Sequence, residues 1–213
     1  MSKLLVTRPK HDKATEYLFA WSIEVIEAAK ERGWKVSDVS EKNVNKREVC
    51  SRLGKTSPDL VFFNGHGNES EMFGHNFEVV LDGDSSHLLK NSVTFARSCS
   101  CLVALGSTAI ENGCKAFIGY SDNFWVPMIA KYESTPLRDS VAKPVLEVSN
   151  TIPLSLIKNS SVSDAISTAR TRASKHILKL VLSKEPHNRA ALKALIQNDD
   201  CLGFKGNGEA KIS

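Results

Sequence analysis

The sequence of 213 residues lacks long hydrophobic runs, blocks of like charge and a paired set of cysteines. No segment approaches the roughly eighteen apolar residues of a membrane span, and the apolar start at Leu4 is too brief for a signal peptide. The 28 lysines and arginines nearly balance the 24 aspartates and glutamates, and no basic stretch is interleaved with aromatic residues. We therefore expect a cytoplasmic protein that has neither a membrane nor a nucleic acid as its partner.

The cysteines are odd in number and scattered, which argues against a disulfide framework and fits a reducing compartment. They are Cys50, Cys99, Cys101, Cys114 and Cys201. Only one residue separates Cys99 from Cys101, whereas paired zinc-binding cysteines usually have two or more residues between them. The glycine-containing stretch at 64–70 lacks both the order G-x-G-x-x-G and a following helical pattern. We therefore expect no metal, no nucleotide and no other cofactor.

Strand and helix patterns alternate along the first half of the chain, which is typical of a parallel sheet covered by helices on both faces. Strands are predicted at Lys3–Thr7, Trp34–Val39, Asp59–Asn64, Val93–Ala96, Lys115–Tyr120 and Cys201–Lys205. The sequence thus predicts an α/β fold, a three-layer αβα sandwich whose mostly parallel sheet has about six strands. The length fits one domain over residues 1–213, with a frayed tail at 206–213.

The second half of the chain is predicted to be mostly helical, after one long loop. Ser121–Pro136 has no hydrophobic period and carries Phe124 and Trp125, so we expect a surface loop with a functional role. Ser163 is predicted to be the N-cap of a long helix that Pro186 interrupts.

Two reactive side chains, His66 and Cys99, each follow a predicted strand. A helical pattern starts at Leu102, so Cys99 is expected near a helix N-terminus, where unpaired N–H groups favour the thiolate. If the two strands are neighbours, His66 reaches the same sheet edge, which is where open α/β sheets bind ligands. His66 would then be the base for Cys99, and the N–H groups of Gly67 and Cys99 would face a developing oxyanion.

The segment FFNGHG at 62–67, followed by ARSCSC at 96–101, resembles the caspase-like cysteine peptidases, a superfamily of caspases, metacaspases, gingipains, separase and CHAT domains. In that superfamily a hydrophobic strand leads into a His-Gly pair and the next strand into a Cys turn. The resemblance continues through Gly113–Gly119, the helix start at Val162–Ala165 and the final stretch Leu202–Gly206. The order and spacing are most similar to the CHAT and gingipain branch.

The resemblance implies a hydrolase that cleaves peptide bonds in a protein substrate through a thioester, without any metal. His66 would be the general base and acid, Cys99 the nucleophile, and Gly67 with Cys99 the oxyanion donors. The position two before the nucleophile lines the first specificity pocket in several relatives, and here it is Arg97. Arg8, at the end of the first strand, could reach the same place, which predicts cleavage after an acidic residue. A solvated Arg97, or one paired with Asp122, is the alternative.

Other interpretations stay open at this point. Cys101 competes with Cys99 as the nucleophile, because the family's glycine soon after the cysteine is missing here. The chain is alternatively an inert or latent caspase-like interaction module that needs a separate activator protein. Amidotransferase-type enzymes are disfavoured because their histidine follows the cysteine after a strand, whereas the later histidines here fall in helical contexts. The histidines outside the dyad are predicted to lie on the surface, and only one of them near the site: His11, His75, His87, His176 and His187, with His75 the one to examine.

Overall fold

The structure, a computed structural model, describes residues 1–183, 185 and 188–212. The predictions for Pro186 and His187 fall outside these residues. The strands are β1 (Lys3–Arg8), β2 (Lys35–Ser40), β3 (Leu60–Asn64), β4 (His66–Gly67), β5 (Met72–Phe73), β6 (Val79–Leu81), β7 (Val93–Arg97), β8 (Ala116–Tyr120) and β9 (Leu202–Gly206). The helices are α1 (Lys13–Trp21), α2 (Ile23–Glu31), α3 (Lys46–Thr56), α4 (Leu105–Glu111), α5 (Ala142–Ile157), α6 (Val162–Leu182) and α7 (Asn188–Cys201).

Six strands form the central sheet in the order β2-β1-β3-β7-β8-β9. Each neighbouring pair from β2 to β8 is parallel, and β9 alone runs antiparallel, against β8. Every residue of β3, β7 and β8 is buried, as expected for parallel strands covered on both faces. The predicted α/β class and the mostly parallel six-stranded sheet are therefore confirmed.

Successive strand residues point to opposite faces, and each face has its own hydrophobic core. Leu4 and Phe62 pack with residues of α2, α5 and α6, whereas Leu5 and Phe63 pack with residues of α3 and α4. The sheet therefore lies between two helical layers, which confirms the predicted αβα sandwich.

Three local predictions need correction. The N-cap of α6 is Ser161, whose Oγ accepts a hydrogen bond from the Asp164 N–H at 3.1 Å, and Ser163 is already inside the helix. The predicted frayed tail is packed, because Ala210 and Ile212 are only 7% and 5% exposed in the core. Helix α4 has seven residues and begins at Leu105, three residues later than predicted. Within the described part of the chain, every helix is too short or too polar for a membrane span.

A small antiparallel sheet, β4-β5-β6, continues directly from the end of β3. It carries His66 and Gly67 on its first strand, while a short 3-10 turn at His75–Phe77 joins the other two. Asn76 and Phe77 both have positive φ, 52° and 60°, a conformation that non-glycine residues rarely adopt. This arm therefore holds a strained turn beside the carboxyl end of the central sheet.

Candidate active site

The pairing of β3 with β7 brings the two predicted residues to one end of the sheet. Asn64 of β3 is the register partner of Arg97 of β7, so His66 and Cys99 each lie two residues beyond the same strand pair. The backbones stay close there, since a Cβ added to Gly67 would lie 3.1 Å from the Cys99 carbonyl oxygen. Parallel neighbours thus place His66, Gly67 and Cys99 at the carboxyl edge, where ligands of α/β proteins bind.

His66 has a carboxylate partner that the sequence did not reveal. Its Nε2 lies 2.6 Å from Oδ2 of Asp12, and both side chains are about one third exposed, at 31% and 33%. Asp12 is the N-cap of α1, and its other oxygen, Oδ1, accepts the Thr15 N–H at 2.8 Å. Because the cap fixes the carboxylate, the free oxygen can hold the imidazole in one orientation.

The Asp12 carboxyl group is stabilised in its charged form. Burial raises its pKa, but the hydrogen bonds from Thr15 and His66 outweigh burial and hold the pKa below its usual value. A carboxylate facing Nε2 favours the tautomer with the proton on Nε2, which leaves the Nδ1 lone pair available to a neighbouring acid. The signal in the sequence was the pattern Asp12-x-x-Thr15, a capping box directly after β1, the strand beside β3.

Cys99 lies in a turn rather than at a helix N-terminus. Since α4 begins only at Leu105, its dipole does not act on the thiol, which corrects the predicted thiolate stabilisation. Burial raises the pKa of Cys99, and a hydrogen bond from the Phe124 N–H to the sulfur offsets this only in part. The next residue, Ser100, has a φ of 55°, and its N–H donates to the Asp122 carbonyl oxygen at 3.0 Å. The thiol is therefore half-buried, and the backbone of the 121–136 loop contacts both Cys99 and Ser100.

Cys101, the competing nucleophile, is fully buried. Its Sγ lies 3.0 Å from Ser98 Oγ and 3.6 Å from the Glu71 carbonyl oxygen, and burial raises its pKa to about 12. A buried thiol with such a pKa is a poor nucleophile. The geometry therefore favours Cys99 over Cys101.

Arg97 does not line a pocket. Its side chain is 0% exposed and donates to Asn64 Oδ1, Asn150 Oδ1 and the Leu18 carbonyl oxygen, at 2.8, 2.8 and 3.2 Å. The guanidinium also stacks 4.9 Å from the ring centre of Phe62. A substrate carboxylate could reach it only by displacing these groups, which corrects the predicted role of Arg97 in recognising an acidic residue. The alternatives, solvation or pairing with Asp122, are equally wrong.

Arg8 and Trp125, also predicted to bind substrate, face other parts of the molecule. Arg8 is 9% exposed and is paired with Asp38 on β2, while its guanidinium lies 4.1 Å from the Phe19 ring centre. It therefore does not share a pocket with Arg97. Trp125 is 47% exposed, and its backbone N–H and carbonyl are both hydrogen-bonded to the Asn198 side chain of α7 at 2.8 and 2.9 Å. Trp125 follows Phe124 and stays a candidate for contact with a substrate.

Two more histidines lie beside the His66–Asp12 pair: His75, the one expected near the site, and His11, which was predicted to lie on the surface. The ring centre of His11 lies 5.9 Å from that of His66 and 5.3 Å from that of His75. The ring of Phe77, which is 58% exposed, stacks on His66 at 4.9 Å and meets His11 edge-on at 5.0 Å. Among the described residues, His11, Asp12 and His66 form a group whose potential metal-ligand atoms all lie within 4.8 Å of one another.

Solved structures with a similar fold include cysteine proteinases. The Arg-specific cysteine proteinase gingipain R matches with a TM-score of 0.60 at 10% identity, and the match covers 99% of this chain and 47% of that protein. A chain of the complex between the pro- and mature domains of RgpB from Porphyromonas gingivalis matches with a TM-score of 0.53 at 11% identity over 99% and 48%. A third structure, described as a protease, matches with a TM-score of 0.52 at 14% identity over 99% and 48%.

No model of a known protein family and no curated protein matches the sequence. The chain spans about half the length of the solved structures it resembles. TM-scores of 0.52–0.60 establish a shared backbone arrangement, but identities of 10–14% do not establish a shared activity. The chain therefore has the fold of the gingipain cysteine proteinases.

Proposed function

We propose that this chain is a caspase-like cysteine endopeptidase in which Cys99 is the nucleophile and His66 the general base and acid. The observation that carries the proposal is the register of β3 and β7, which sets both residues two positions beyond one strand pair. The fold shared with cysteine proteinases supports it. The proposed substrate is a protein segment that binds in extended form along this edge of the sheet, beside the loop that contains Trp125.

In the proposed mechanism, Asp12 accepts the Nε2 proton of His66 in a hydrogen bond, and the Nδ1 lone pair removes the proton from Cys99 Sγ. The thiolate attacks the scissile carbonyl carbon, and the N–H groups of Gly67 and Cys99 donate to the oxyanion that forms. His66 then returns the proton from Nδ1 to the departing amine, leaving a thioester on Cys99. A water molecule, deprotonated by His66, hydrolyses the thioester and restores the free thiol.

The free chain is proposed to be latent. The half-buried Cys99 thiol is contacted by the backbone of the 121–136 loop, and its raised pKa opposes formation of the thiolate. An activator protein that displaces this loop would expose the sulfur and lower its pKa. A similar protein was solved as a complex of its pro- and mature domains, which is compatible with such a regulatory partner.

The same half-buried thiol also favours the second candidate, an interaction module with no catalysis. The two are separated by incubating the purified chain with peptide chloromethyl ketones carrying Asp, Arg or Leu at the first position and locating adducts by mass spectrometry. An endopeptidase gives an adduct on Cys99 that persists in Cys101→Ala and is lost in Cys99→Ala. It also forms far more slowly in His66→Ala. Failure of every reagent to modify Cys99, including at alkaline pH, would exclude a peptidase that is active without an activator and would favour the inert module.

A further inference from the structure

His11 is a buried imidazole whose ring lies beside the Asp12 carboxylate. Its side chain is 5% exposed, and within the described residues neither Nδ1 nor Nε2 has a hydrogen-bond partner. Nδ1 of His75, the next ring, is buried and unpaired in the same way. An unsatisfied buried polar group costs about 1–3 kcal/mol, and native proteins keep few of them. Unpaired nitrogens of this kind beside a carboxylate therefore indicate a bound group that completes the site.

The distances fit a small cation. His11 Nε2 lies 3.7 Å from Asp12 Oδ2, and the ligand atoms of His11, Asp12 and His66 all lie within 4.8 Å of one another. Zn²⁺ bonds nitrogen and carboxylate oxygen at about 2.0–2.2 Å, so tetrahedral ligand atoms are about 3.4 Å apart. Side-chain movements of about 1 Å would bring the three atoms to this spacing. His75, whose ring centre is 5.3 Å from that of His11, is a neighbour of this group but not a member of it.

The ligand chemistry selects the metal. Two imidazoles and one carboxylate suit Zn²⁺ and related transition metals, whereas Ca²⁺ and Mg²⁺ prefer oxygen ligands alone. We propose that His11, Asp12 and His66 bind a divalent transition metal ion, with Zn²⁺ the best match, and that this ion switches off the base at His66. The site contains no cysteine and is distinct from the Cys-x-Cys arrangement that the sequence argued against.

The regulatory half of this inference rests on the proposed function of His66. Without metal, Asp12 accepts the Nε2 proton and Nδ1 carries the lone pair. A metal ion bonds to Nε2 through a lone pair, so the proton must move from Nε2 to Nδ1, and the Asp12 carboxylate turns to the metal. The imidazole stays neutral and no proton is released. Nδ1 then carries a proton and cannot accept one from Cys99.

Binding is tested on the full chain by competition between the protein and a chromophoric chelator for Zn²⁺. His11→Phe keeps an aromatic ring against Phe77 but removes both nitrogens. We expect one Zn²⁺ per wild-type chain and an affinity at least about 100-fold weaker in His11→Phe, because even partners of metal ligands contribute roughly 10–100-fold. The matched control is His87→Phe, which replaces an exposed imidazole bonded to the Asp84 carbonyl oxygen and should bind Zn²⁺ like the wild type.

Equal affinity in wild type and His11→Phe would overturn the site, as would loss of affinity in Cys99→Ala. Should His11→Phe fail to fold, His11→Gln and the Co²⁺ spectrum of the wild type decide instead. A site with nitrogen and oxygen ligands shows d–d bands without a thiolate charge-transfer band. The appearance of that band would contradict the assignment.

The switch is tested by the rate at which a peptide chloromethyl ketone modifies Cys99, with and without saturating Zn²⁺. We expect Zn²⁺ to slow the wild type and to have no effect on His11→Phe. A wild-type rate unaffected by bound Zn²⁺ would refute the switch while leaving the site intact. Absence of Cys99 modification without metal would instead refute a peptidase that is active as the free chain, and the chelator competition would still decide the metal site.

Discussion

The two halves of the candidate dyad are prepared to different degrees. On the β3 side, His66 is one third exposed and held by a carboxylate that is itself fixed as a helix cap. On the β7 side, the Cys99 thiol is half-buried beside a loop, lies in a strained turn and has a raised pKa. The base is therefore ready in the free chain and the nucleophile is not.

In the proposed peptidase, this difference indicates where activity would be controlled. A change that activates the protein has to act on the 121–136 loop, because the backbone of this loop contacts both Cys99 and Ser100. A change that inactivates it can instead act at His66, where the rings of His11, His75 and Phe77 lie close to the proposed base. Activation would thus act on the loop beside Cys99, and inhibition on the residues around His66, at the same edge of the sheet.

Loss of the Arg97 side chain should destabilise both sides of the candidate dyad. Asn64 and Arg97 are the last residues of β3 and β7, the strands that lead to His66 and Cys99. Arg97→Met keeps the length of the side chain but leaves Asn64 Oδ1 and Asn150 Oδ1 without their donor, while the Leu18 carbonyl keeps only the Ser22 N–H. We expect the free energy of unfolding to fall by about 3 kcal/mol in urea denaturation, from the cost of unpaired buried acceptors.

The control is Arg52→Met, which removes an exposed arginine paired with Glu48 one helical turn away. Its expected cost is below about 0.5 kcal/mol. Equal stability of the Arg97 and Arg52 variants would show that the buried hydrogen bonds of Arg97 contribute nothing, and an accessible Arg97 would then become plausible again.

Asp12→Asn should change which ring nitrogen of His66 carries the proton. The amide can donate to Nε2, which would move the ring proton to Nδ1 and eliminate the lone pair proposed to accept the Cys99 proton. We expect the modification of Cys99 by a peptide chloromethyl ketone to slow by about 100-fold, the usual scale of general-base catalysis. Asn keeps the helix cap, so the thermal unfolding midpoint should change little. An unaltered rate would show that the Asp12–His66 hydrogen bond has no role in activating Cys99.

The architecture was predictable from the sequence, because six apolar strand patterns and their alternation with helices leave few other arrangements. The neighbouring positions of His66 and Cys99 followed from the same pattern. Asp12 and His11 were missed, since they lie in the turn between β1 and α1, distant along the chain, and the β1–β3 pairing brings that turn to His66. Arg97 was misread because a sequence pattern gives a position at the strand end but does not show what fills the space around the side chain.

Asn198→Ala should make Cys99 more reactive, and so reduce its difference from the prepared His66, by loosening the 121–136 loop. The substitution removes both hydrogen bonds that hold the Trp125 backbone to α7. Two such bonds are worth about 1–3 kcal/mol together, so we expect iodoacetamide to label Cys99 up to about tenfold faster. Asp200→Ala, at an exposed position of the same helix, is the control and should leave the rate unchanged. Slower or equal labelling in Asn198→Ala would show that the loop does not restrain the thiol.

The smallest expected effect is the pH dependence of Cys99 labelling in the wild type, which needs no substitution. Because burial raises the pKa of Cys99, its thiolate fraction at neutral pH is below that of an unstructured cysteine peptide. The labelling rate of Cys99 by iodoacetamide should therefore rise with pH and level off at a higher pH than that of the peptide, when both are followed by mass spectrometry. In Asn198→Ala the inflection should move down toward the peptide, since burial is the dominant cause of the shift. An inflection below that of the peptide would mean that the nucleophile is already activated, and the two halves of the dyad would then be equally ready.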